Sequence, residues 1–546
     1  MKSKKFFASL AALTMLLGGC GKPADSSSSQ NTSSESNSSS NNSSTASTPP
    51  ENATLRILTT GDKPNDFDAV LEEFYKRTKD SLNVTLNFEF VPSSEYKDKL
   101  NLKMTAGEEY DLVFDAPWMH LRTLSNDGAY VDLSPYLNNP KYPGLQKCFP
   151  EEIMKYNKYG GINCALPLFL GYTGINIVMY RLDWAKEFGI GQDGQIESLD
   201  ELESYLKAVK EKKEGVIPIA LKSNRGFYHL FDDYRYEGLT KEDNIYQGTL
   251  GKDIFFLYKL NSDSTKVEAI AVPGDSEDKW APFGGTDRWK KPLEMARQWN
   301  QYTEKDSINQ NDPGSLFQVG KAGAYIDTLD AFAKYRDLLK SYVPEAELGI
   351  FVHGENARKM EKGALSASVI ASNYLAIPST SKKVERTISF LNWIFESSEN
   401  HDLFEYGIEG KHWVADGDSK YKLPDGVNPK TNYNALGYNL TWNPLYYRVS
   451  ESYTPYALKY VEFASNIDNF YISPVTGFQF NSDPVKTEIT QCGSILSEIL
   501  PPLGHGIYDN PYNYMAQATK KMYDSGLQTA LDEYVRQLNE FLANKK

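Results

Sequence analysis

The sequence predicts an α/β protein of at least two lobes that ends in a mostly helical C-terminal extension. The ~500 residues behind the N-terminal leader are more than one compact core usually holds, so two or more lobes are expected. Strand and helix patterns alternate within residues 54–118 and again from residue 198 onward. Helical spacing of apolar residues then dominates the last ~100 residues.

A signal peptide is predicted at the start of the chain. Lys2, Lys4 and Lys5 precede an apolar run over residues 6–17. A membrane-spanning helix needs about 20 apolar residues, so this run is too short for an anchor and is typical of a signal-peptide core. We therefore assign residues 1–19 to a signal peptide.

The end of that run resembles a bacterial lipobox. The stretch Leu17-Gly18-Gly19-Cys20 places small residues before a cysteine, as at sites where the signal is cut and the cysteine is lipidated. The resemblance implies that Cys20 is acylated, with palmitate for example, and anchors the protein to the extracellular face of the cell membrane. The alternative is an ordinary signal peptide with a stray cysteine. Residues 20–52 are rich in Ser and Asn and are expected to form a disordered tether.

The overall charge argues against a nucleic-acid ligand. The chain carries a net charge of −14, and removal of the three signal-peptide lysines takes it to −17. Nucleic-acid binding requires a basic footprint, which this balance does not provide. The chain also contains 36 Tyr and 8 Trp residues, whose apolar faces and polar tips suit amphipathic ligands such as sugars.

Three cysteines remain besides Cys20, namely Cys148, Cys164 and Cys492. Outside the cytoplasm Cys148 and Cys164 could form a disulfide, which would add about 3 kcal/mol of stability. Both could equally be buried free thiols. The sequence leaves these two alternatives open.

The first lobe begins with an alternation of strands and helices. Its five elements are predicted as strand 54–60, a helix from Phe67, strand 84–90, helix 93–109 and strand 110–118. The strands show β-branched or alternating apolar residues, and the helices show apolar residues at a spacing of three to four. Right-handed crossovers then give a parallel sheet, with ligands expected beyond the carboxyl ends of its strands.

Two loops follow those carboxyl ends. One contains Asp62, and the other contains Asp115 and Trp118. A carboxylate can accept hydrogen bonds from two hydroxyl groups, while an indole face can stack on the CH groups of a sugar ring. We therefore predict a sugar site here. The alternatives are that Asp62 caps the following helix and that Trp118 packs inside the lobe.

A second group of α/β signals follows. Ser198 and Glu201 form a capping box that opens a helix. A strand is predicted over 215–223, with Arg225 in the loop beyond it, and another strand places Asp327 at its end. By the same strand-end argument, Arg225 and Asp327 are candidate ligand-binding residues.

No catalytic motif is found. The stretch 189–194 matches G-x-G-x-x-G, but it follows a helical segment and lacks the strand that a dinucleotide site requires. Neither H-E-x-x-H nor G-x-S-x-G occurs, and the six histidines are scattered. We predict no catalytic residue, no cofactor and no metal site.

Several longer stretches, in their order, resemble the extracellular solute-binding proteins of bacterial ABC importers. The likeness is to the sugar-binding type (family 1), and within it to the larger lipoprotein subfamily of Gram-positive bacteria. The stretches are 104–118, 166–190, 316–327, 371–397, 400–413 and, for the extra C-terminal domain of that subfamily, 477–489.

The resemblance implies a periplasmic-binding-protein-like fold, with two α/β lobes joined by hinge strands that close on a ligand. It places Trp118 and Tyr172 at the cleft. Trp413 stands where the subfamily has an aromatic or similar residue. Trp280 and Trp442 lie in polar, loop-like surroundings and are further candidates, with packing between elements as the alternative for each.

The resemblance also implies a domain order and a set of partners. We expect a first α/β lobe over 53–170, mainly the second lobe over 171–400 with the chain crossing back through the hinge, and a helical part over 401–546 that packs on the lobes. The protein is expected to be a monomer, not an enzyme, that delivers an oligosaccharide to ABC permease subunits. The alternatives are a peptide or other polar solute as ligand, a surface glycan hydrolase, or an adhesin.

Overall fold

The computed structural model describes residues 51–222, 226–231, 236–310, 312–428, 431–433 and 436–545. The predicted signal peptide, Cys20 and Arg225 lie outside these residues. Within the described ranges, no helix combines the length and apolar character needed to cross a membrane.

Strands in the described residues group into four sheets. In chain order they are β1 Ala53–Thr60, β2 Val84–Val91, β3 Leu112–Asp115, β4 Ala165–Leu168, β5 Asn176–Arg181, β6 Ile245–Leu250, β7 Ile254–Leu260, β8 Val267–Ala271, β9 Ala324–Thr328, β10 Leu348–Val352, β11 Asn373–Ala376, β12 Val414–Asp416, β13 Lys420–Lys422 and β14 Val449–Ser450. The longest helices are Phe67–Thr78, Ser93–Thr105, Leu199–Lys212, Asp287–Trp299, Phe332–Tyr342, Val384–Glu396, Pro455–Ser465, Lys486–Gly504, Pro511–Asp524 and Leu527–Asn544.

The first sheet has the order β2-β1-β3-β11-β4. The pairs β1–β2 and β1–β3 are parallel, as the βαβαβ pattern predicts. Strand β11 returns from late in the chain and pairs antiparallel with both β3 and β4. The carboxyl ends of β1, β2 and β3 therefore share one edge, which carries the loops after Thr60 and Asp115.

Aromatic packing holds two helices against this sheet. Phe74 is fully buried on the helix Phe67–Thr78, and its ring meets those of Phe390, Trp393 and Phe404 at 5.0–5.7 Å. Such edge-to-face pairs add to the free energy gained from burying apolar area. The helix Val384–Glu396 thus packs on the first sheet although it follows the second-lobe segments in sequence.

The second sheet has the order β10-β5-β9, with antiparallel pairing throughout. The helix Leu199–Lys212 packs beside it and begins with the predicted capping box of Ser198 and Glu201. The strand predicted over 215–223 is reduced to two isolated bridges, Ile217 with Ala322 and Ala220 with Tyr325. Pro218 explains the difference, because proline has no N–H to donate to a continuous ladder.

Strands β6, β7 and β8 form an antiparallel sheet that packs against the C-terminal helices. The core of this third unit joins the strands to the helices Lys486–Gly504 and Leu527–Asn544. The C-terminal part is thus mostly helical, with the small sheet β12-β13-β14 added near its start.

In the described part of the chain, three connecting segments run between the apolar core around the first sheet and the apolar core around the second sheet. They are residues 169–174, residues 353–370 and the region around residues 446–453, each of which leaves one apolar cluster and enters the other. This architecture confirms the predicted two-lobed α/β class. The exact domain boundaries remain predictions.

Candidate functional site

A cavity of about 310 Å³ lies where the three connecting segments meet; we call it the hinge cavity. Its walls come from residues 168–175, 329–330, 368–373 and 461–465, together with Trp442, Tyr447 and Tyr453. Because every connecting segment contributes to it, a ligand bound here would contact the parts of the chain that join the two cores. Binding sites in two-lobed proteins commonly lie at such junctions.

Aromatic side chains form much of the cavity wall. Trp442 is half-buried, and its ring lies 6.1 Å from that of Tyr438. Tyr453 is buried and fixes one wall, because its hydroxyl donates to the backbone carbonyl of Leu329 at 3.0 Å. Phe169 contributes a third ring from the first connecting segment.

The backbone at Gly437 brings Trp442 to the cavity. A Cβ atom on Gly437 would lie 2.2 Å from Nε1 of Trp442 and 2.8 Å from a carboxylate oxygen of Glu405. The segment Gly437–Thr441 forms a π-helical turn, a conformation often found at functional sites. Only a residue without a side chain permits the indole to lie this close.

Polar groups lie among the aromatic ones. Asp330, Ser368 and Ser372 are exposed residues of the cavity wall, and Asn373 is half-buried at the start of β11. This mixture of ring faces with hydroxyl, amide and carboxylate groups is suited to a ligand that has both CH surfaces and hydroxyl groups.

Trp118 contacts the backbone of Ser372, a residue of the hinge cavity wall. Its side chain is 59 % exposed, and its indole N–H donates to the backbone carbonyl of Ser372 at 3.0 Å. The alternative that Trp118 packs inside the lobe therefore does not describe it. Its exposed ring face is available to a ligand that enters beside Ser372.

Asp115 lies beneath that loop and is fully buried. Its carboxylate accepts hydrogen bonds from the Tyr130 hydroxyl at 2.7 Å and from the backbone N–H groups of Ala116 at 2.7 Å and His120 at 3.2 Å. Burial raises the pKa of this carboxyl to about 6, against the lowering effect of those hydrogen bonds. This geometry suits a residue that holds the Trp118 loop in place.

Asp62 is exposed in the loop after β1. It does not cap the following helix, because the N-cap position belongs to Asp66 in a left-handed conformation. Asp66 accepts from Lys411 Nζ at 2.9 Å and lies 3.2 Å from Nε2 of His412. The loop that carries Asp62 is thereby tied to the segment after residue 408.

Tyr172 lies in the first connecting segment, between the cavity residues Gly171 and Thr173. Its backbone N–H donates to Ala464 at 2.9 Å, and its carbonyl accepts from Ser368 at 2.6 Å. The backbone of Tyr172 thus joins three stretches of the cavity wall, while its half-buried ring lies 5.9 Å from that of Phe169.

The structure places Trp280 and Trp413 away from the hinge cavity. Both are buried, with 0 % and 4 % exposure. The Trp280 indole donates to the carbonyl of Val272, and the Trp413 indole donates to that of Gly407, each at 3.0 Å. The burial of Trp280 corresponds to its packing alternative, and the burial of Trp413 corrects its placement among the ligand-binding candidates.

Asp327 lines a second, smaller cavity of about 110 Å³. Its carboxylate lies 3.3 Å from Nζ of Lys222 and also accepts from the backbone N–H of Thr328 at 2.9 Å. We call this space the polar cavity. Of the remaining sequence candidates, Trp442 lies in the hinge cavity as described, and Arg225 lies outside the described residues.

No sequence pattern pointed separately to Phe169, Asp330, Asn373, Tyr447 or Tyr453. Asp330 follows β9, the other four fall in or beside a connecting segment, and all five become part of a site only when the two lobes come together. The approach of three distant segments is not visible in any local pattern.

The three cysteines in the described residues are buried free thiols. Burial raises the pKa of Cys148 to about 12 and that of Cys164 to about 11. The structure thus corresponds to the free-thiol alternative for this pair. Among the described residues, no group of three His, Cys, Asp or Glu side chains is placed to hold a metal ion.

Comparison with known families gives two matches. The profile of the bacterial extracellular solute-binding protein family matches residues 60–401. A domain of unknown function, DUF3502, matches residues 474–543.

One similar curated protein is a carbohydrate ABC transporter substrate-binding protein of Streptococcus pneumoniae serotype 4. It is 24 % identical over 545 residues, which cover 99 % of this chain and 96 % of the relative. A solved structure of the N-glycan transport solute binding protein NgtS from Streptococcus pneumoniae matches with a TM-score of 0.69 and 21 % identity, over 90 % of this chain and all of that one. The S. pneumoniae substrate binding protein FusA, solved with kestose, matches with a TM-score of 0.60 and 16 % identity over the same shares. The structural likenesses establish a shared fold.

Proposed function

Because the chain belongs to the bacterial extracellular solute-binding protein family, we propose that it captures an oligosaccharide in the hinge cavity and delivers it to the permease of an ABC importer. The observation that carries the proposal is the composition of that cavity. All three connecting segments line it, and they bring aromatic faces and hydroxyl-binding groups to one space.

The cavity suits a sugar in size and chemistry. Its volume of about 310 Å³ accommodates part of an oligosaccharide. In this proposal the remaining sugar rings extend beside Ser372 toward the exposed ring of Trp118. A sugar ring presents CH groups on its faces, which stack on Trp442 or Tyr447. The hydroxyl groups of a bound sugar can donate hydrogen bonds to the Asp330 carboxylate and can both donate to and accept from the Asn373 amide.

Binding would act through closure of the lobes. A ligand that contacts several connecting segments favours the conformation in which those contacts are all made. The closed form then offers the permease a surface that the open form lacks. In this account the protein holds and releases its ligand without chemical change, so none of its residues is assigned a catalytic role.

The names of the relatives support an oligosaccharide as the ligand class. The full-length pneumococcal relative is named for carbohydrate transport, NgtS is named for N-glycan transport, and FusA was solved with kestose. They are similar to this chain at 16–24 % identity. At that distance the class of ligand is a more reasonable inference than the particular sugar.

We further propose that the protein works at the outer face of the membrane, held by acylated Cys20. Family members are extracellular, and a tether over residues 20–52 would keep the folded part beside its permease. Stable anchoring requires two or more acyl chains. The expected partners are the permease subunits and the bilayer, and the protein is expected to be a monomer.

Calorimetric titration of the purified protein against neutral plant and host oligosaccharides tests the proposal. We expect an intact oligosaccharide to bind, and Trp442→Ala to weaken that binding about tenfold or more, through loss of the stacking surface. Tyr342→Ala is the matched control, because Tyr342 is 51 % exposed at the end of the helix Phe332–Tyr342 and does not line the cavity. Binding of peptides and not sugars would reject the carbohydrate ligand, and cleavage of the sugar would favour a hydrolase.

A further inference from the structure

The polar cavity lies at one end of the second sheet, next to the connecting segments. Asn176 begins β5, Thr328 ends β9, and His353 follows β10. The side chains of Lys222 and Asp327 add a positive and a negative charge to its lining. Residues at the ends of the strands of the second sheet thus place hydrogen-bond donors and acceptors around a space of about 110 Å³.

Residues that line the polar cavity directly adjoin, in sequence, residues that line the hinge cavity. Ile175 and Leu329 line the hinge cavity, while the adjoining residues Asn176 and Thr328 line the polar one. Asn176 pairs with Thr328 across β5 and β9, and the N–H of Leu329 donates to the carbonyl of Ile175 at 2.9 Å. One short piece of paired backbone therefore forms the wall between the two spaces. An oligosaccharide in the hinge cavity needs to extend only past this wall to reach the polar cavity.

Among the described residues that line the polar cavity, Lys222 and Asp327 form an ion pair. Lys222 and Asp327 lie 3.3 Å apart, and their side chains are 40 % and 19 % exposed. The ammonium group offers donors and the carboxylate offers acceptors at the same place, a pattern that suits hydroxyl groups. A ligand with its own carboxylate would have to compete with Asp327 for Lys222. The cavity is therefore better suited to a neutral sugar unit than to an acidic one.

The C-terminal segment contacts Lys222, a residue that lines this cavity, through His505. His505 is fully buried, with Nε2 3.2 Å from the backbone carbonyl of Lys222 and Nδ1 2.6 Å from Oγ of Ser307. A carbonyl can only accept, so Nε2 donates to Lys222, while the serine hydroxyl at Nδ1 can donate or accept. The two contacts hold the His505 ring against the backbone at Lys222.

Two glycines permit this close approach. A Cβ atom on Gly226 would lie 2.6 Å from the His505 ring and 2.7 Å from the backbone of Gly504, and one on Gly506 would lie 2.1 Å from the carbonyl oxygen of Ala296. Both glycines have positive φ. The N–H of Phe227 also donates to the carbonyl of Gly504 at 2.7 Å. Backbone packs directly on backbone here, so the position of the C-terminal segment affects that of Lys222, Gly226 and Phe227.

From these contacts we infer that the polar cavity is an extension of the ligand site that takes the hydroxyl groups of a neutral sugar unit, and that His505 positions Lys222 within it. The inference rests on the proposed function. It assigns a role to part of the region 474–543, which matches a domain of unknown function. That region supplies a positioning residue for the second lobe.

The test uses calorimetry on the purified protein with neutral oligosaccharides from disaccharide to hexasaccharide and with uronic-acid oligosaccharides of equal length. Lys222→Met and Asp327→Asn are expected to weaken the longer neutral ligands about tenfold and to leave the shortest one unchanged. His505→Ala should give the same length-dependent loss, and His505→Gln should restore binding, because its amide can replace both hydrogen bonds. Thermal unfolding of each variant reports its folding separately.

A double-mutant cycle separates positioning from general destabilisation. If His505 acts through Lys222, the His505→Ala change should have little further effect on binding in the Lys222→Met background. Equal losses for short and long ligands, or equal affinity for acidic and neutral ones, would overturn the inference while leaving the proposed function intact. If no sugar binds the wild-type protein, the proposed function fails and the inference fails with it. Since Lys222 is partly exposed, its variant remains informative even if His505→Ala does not fold.

Discussion

The indole N–H of Trp118 donates to the backbone carbonyl of Ser372 at 3.0 Å, across 254 positions of sequence. Trp118 belongs to the loop after β3, and Ser372 directly precedes β11, the strand that returns to pair with β3. The part of the hinge cavity wall at Ser372 is therefore held by the same chain crossing that completes the first sheet. A ligand that contacts Trp118 or Ser372 would therefore also act on the connecting segment 353–370, which leads into β11.

Replacement of Trp118 should affect binding more than folding. The side chain is 59 % exposed, so Trp118→Ala is expected to lower the midpoint of thermal unfolding only slightly. Oligosaccharide affinity should fall severalfold, through loss of the ring face. Trp118→Phe keeps a ring but removes the hydrogen bond to Ser372, and should give an intermediate affinity in calorimetry. Unchanged affinity in both variants would show that the ligand does not contact this residue.

Asp115 should make the stability of the protein depend on pH. Burial raises its folded-state pKa from 3.8 to about 6, so its contribution to stability is full below pH 3.8 and is lost as the pH rises through 6. This shift corresponds to about 3 kcal/mol. Asp115→Asn removes the titration and keeps an oxygen acceptor for the loop. In denaturant unfolding, the stability of the wild type minus that of the variant should fall between pH 4 and pH 7, and a constant difference would contradict the buried-carboxylate account.

Gly437→Ala should displace the Trp442 indole. The new methyl group would lie 2.2 Å from its Nε1, so the ring must move away from the cavity wall. We expect a loss of both ligand affinity and stability, measured by calorimetry and thermal unfolding. Gly493→Ala is the matched control, because nothing lies within 4 Å of its added Cβ. On the helix Lys486–Gly504, that change should stabilise by up to about 1 kcal/mol.

Removing one partner of the buried ion pair between Arg448 and Asp402 should destabilise the protein, because the other charge stays buried. The paired atoms lie 2.6 Å apart, with 12 % and 2 % of the side chains exposed. Arg448→Met leaves the Asp402 charge without this partner and is expected to cost about 3 kcal/mol in denaturant unfolding. Arg536→Met is the control, since Arg536 is 53 % exposed and its surface pairs with Glu533 and Glu540 should contribute much less to stability than a buried pair. Equal costs for the two changes would contradict this assignment.

Local signals predicted the elements well. The capping box of Ser198 and Glu201 depends on residues three apart, and the structure confirms the helix Leu199–Lys212 that it opens. The parallel pairing of β1 with β2 and β3 follows from short crossovers. The antiparallel place of β11 between β3 and β4 could not be read in this way, because that pairing joins segments far apart in sequence.

The candidate site was less predictable than the fold. Trp280 and Trp442 lie in similar polar surroundings in the sequence, yet Trp280 is buried in the third unit and Trp442 lines the hinge cavity. The two indoles differ in burial because different segments, distant in sequence, pack over them. Asp115 was correctly placed at the end of a strand, but its burial beneath Tyr130 depends on the fold of the following loop.

A crystal structure of the purified protein with its tightest-binding oligosaccharide tests the central claim most directly. We predict an intact sugar in the hinge cavity, with one ring in van der Waals contact with Trp442 and hydroxyl groups hydrogen-bonded to Asp330 or Asn373. A sugar bound elsewhere on the surface, with the hinge cavity empty, would contradict the account.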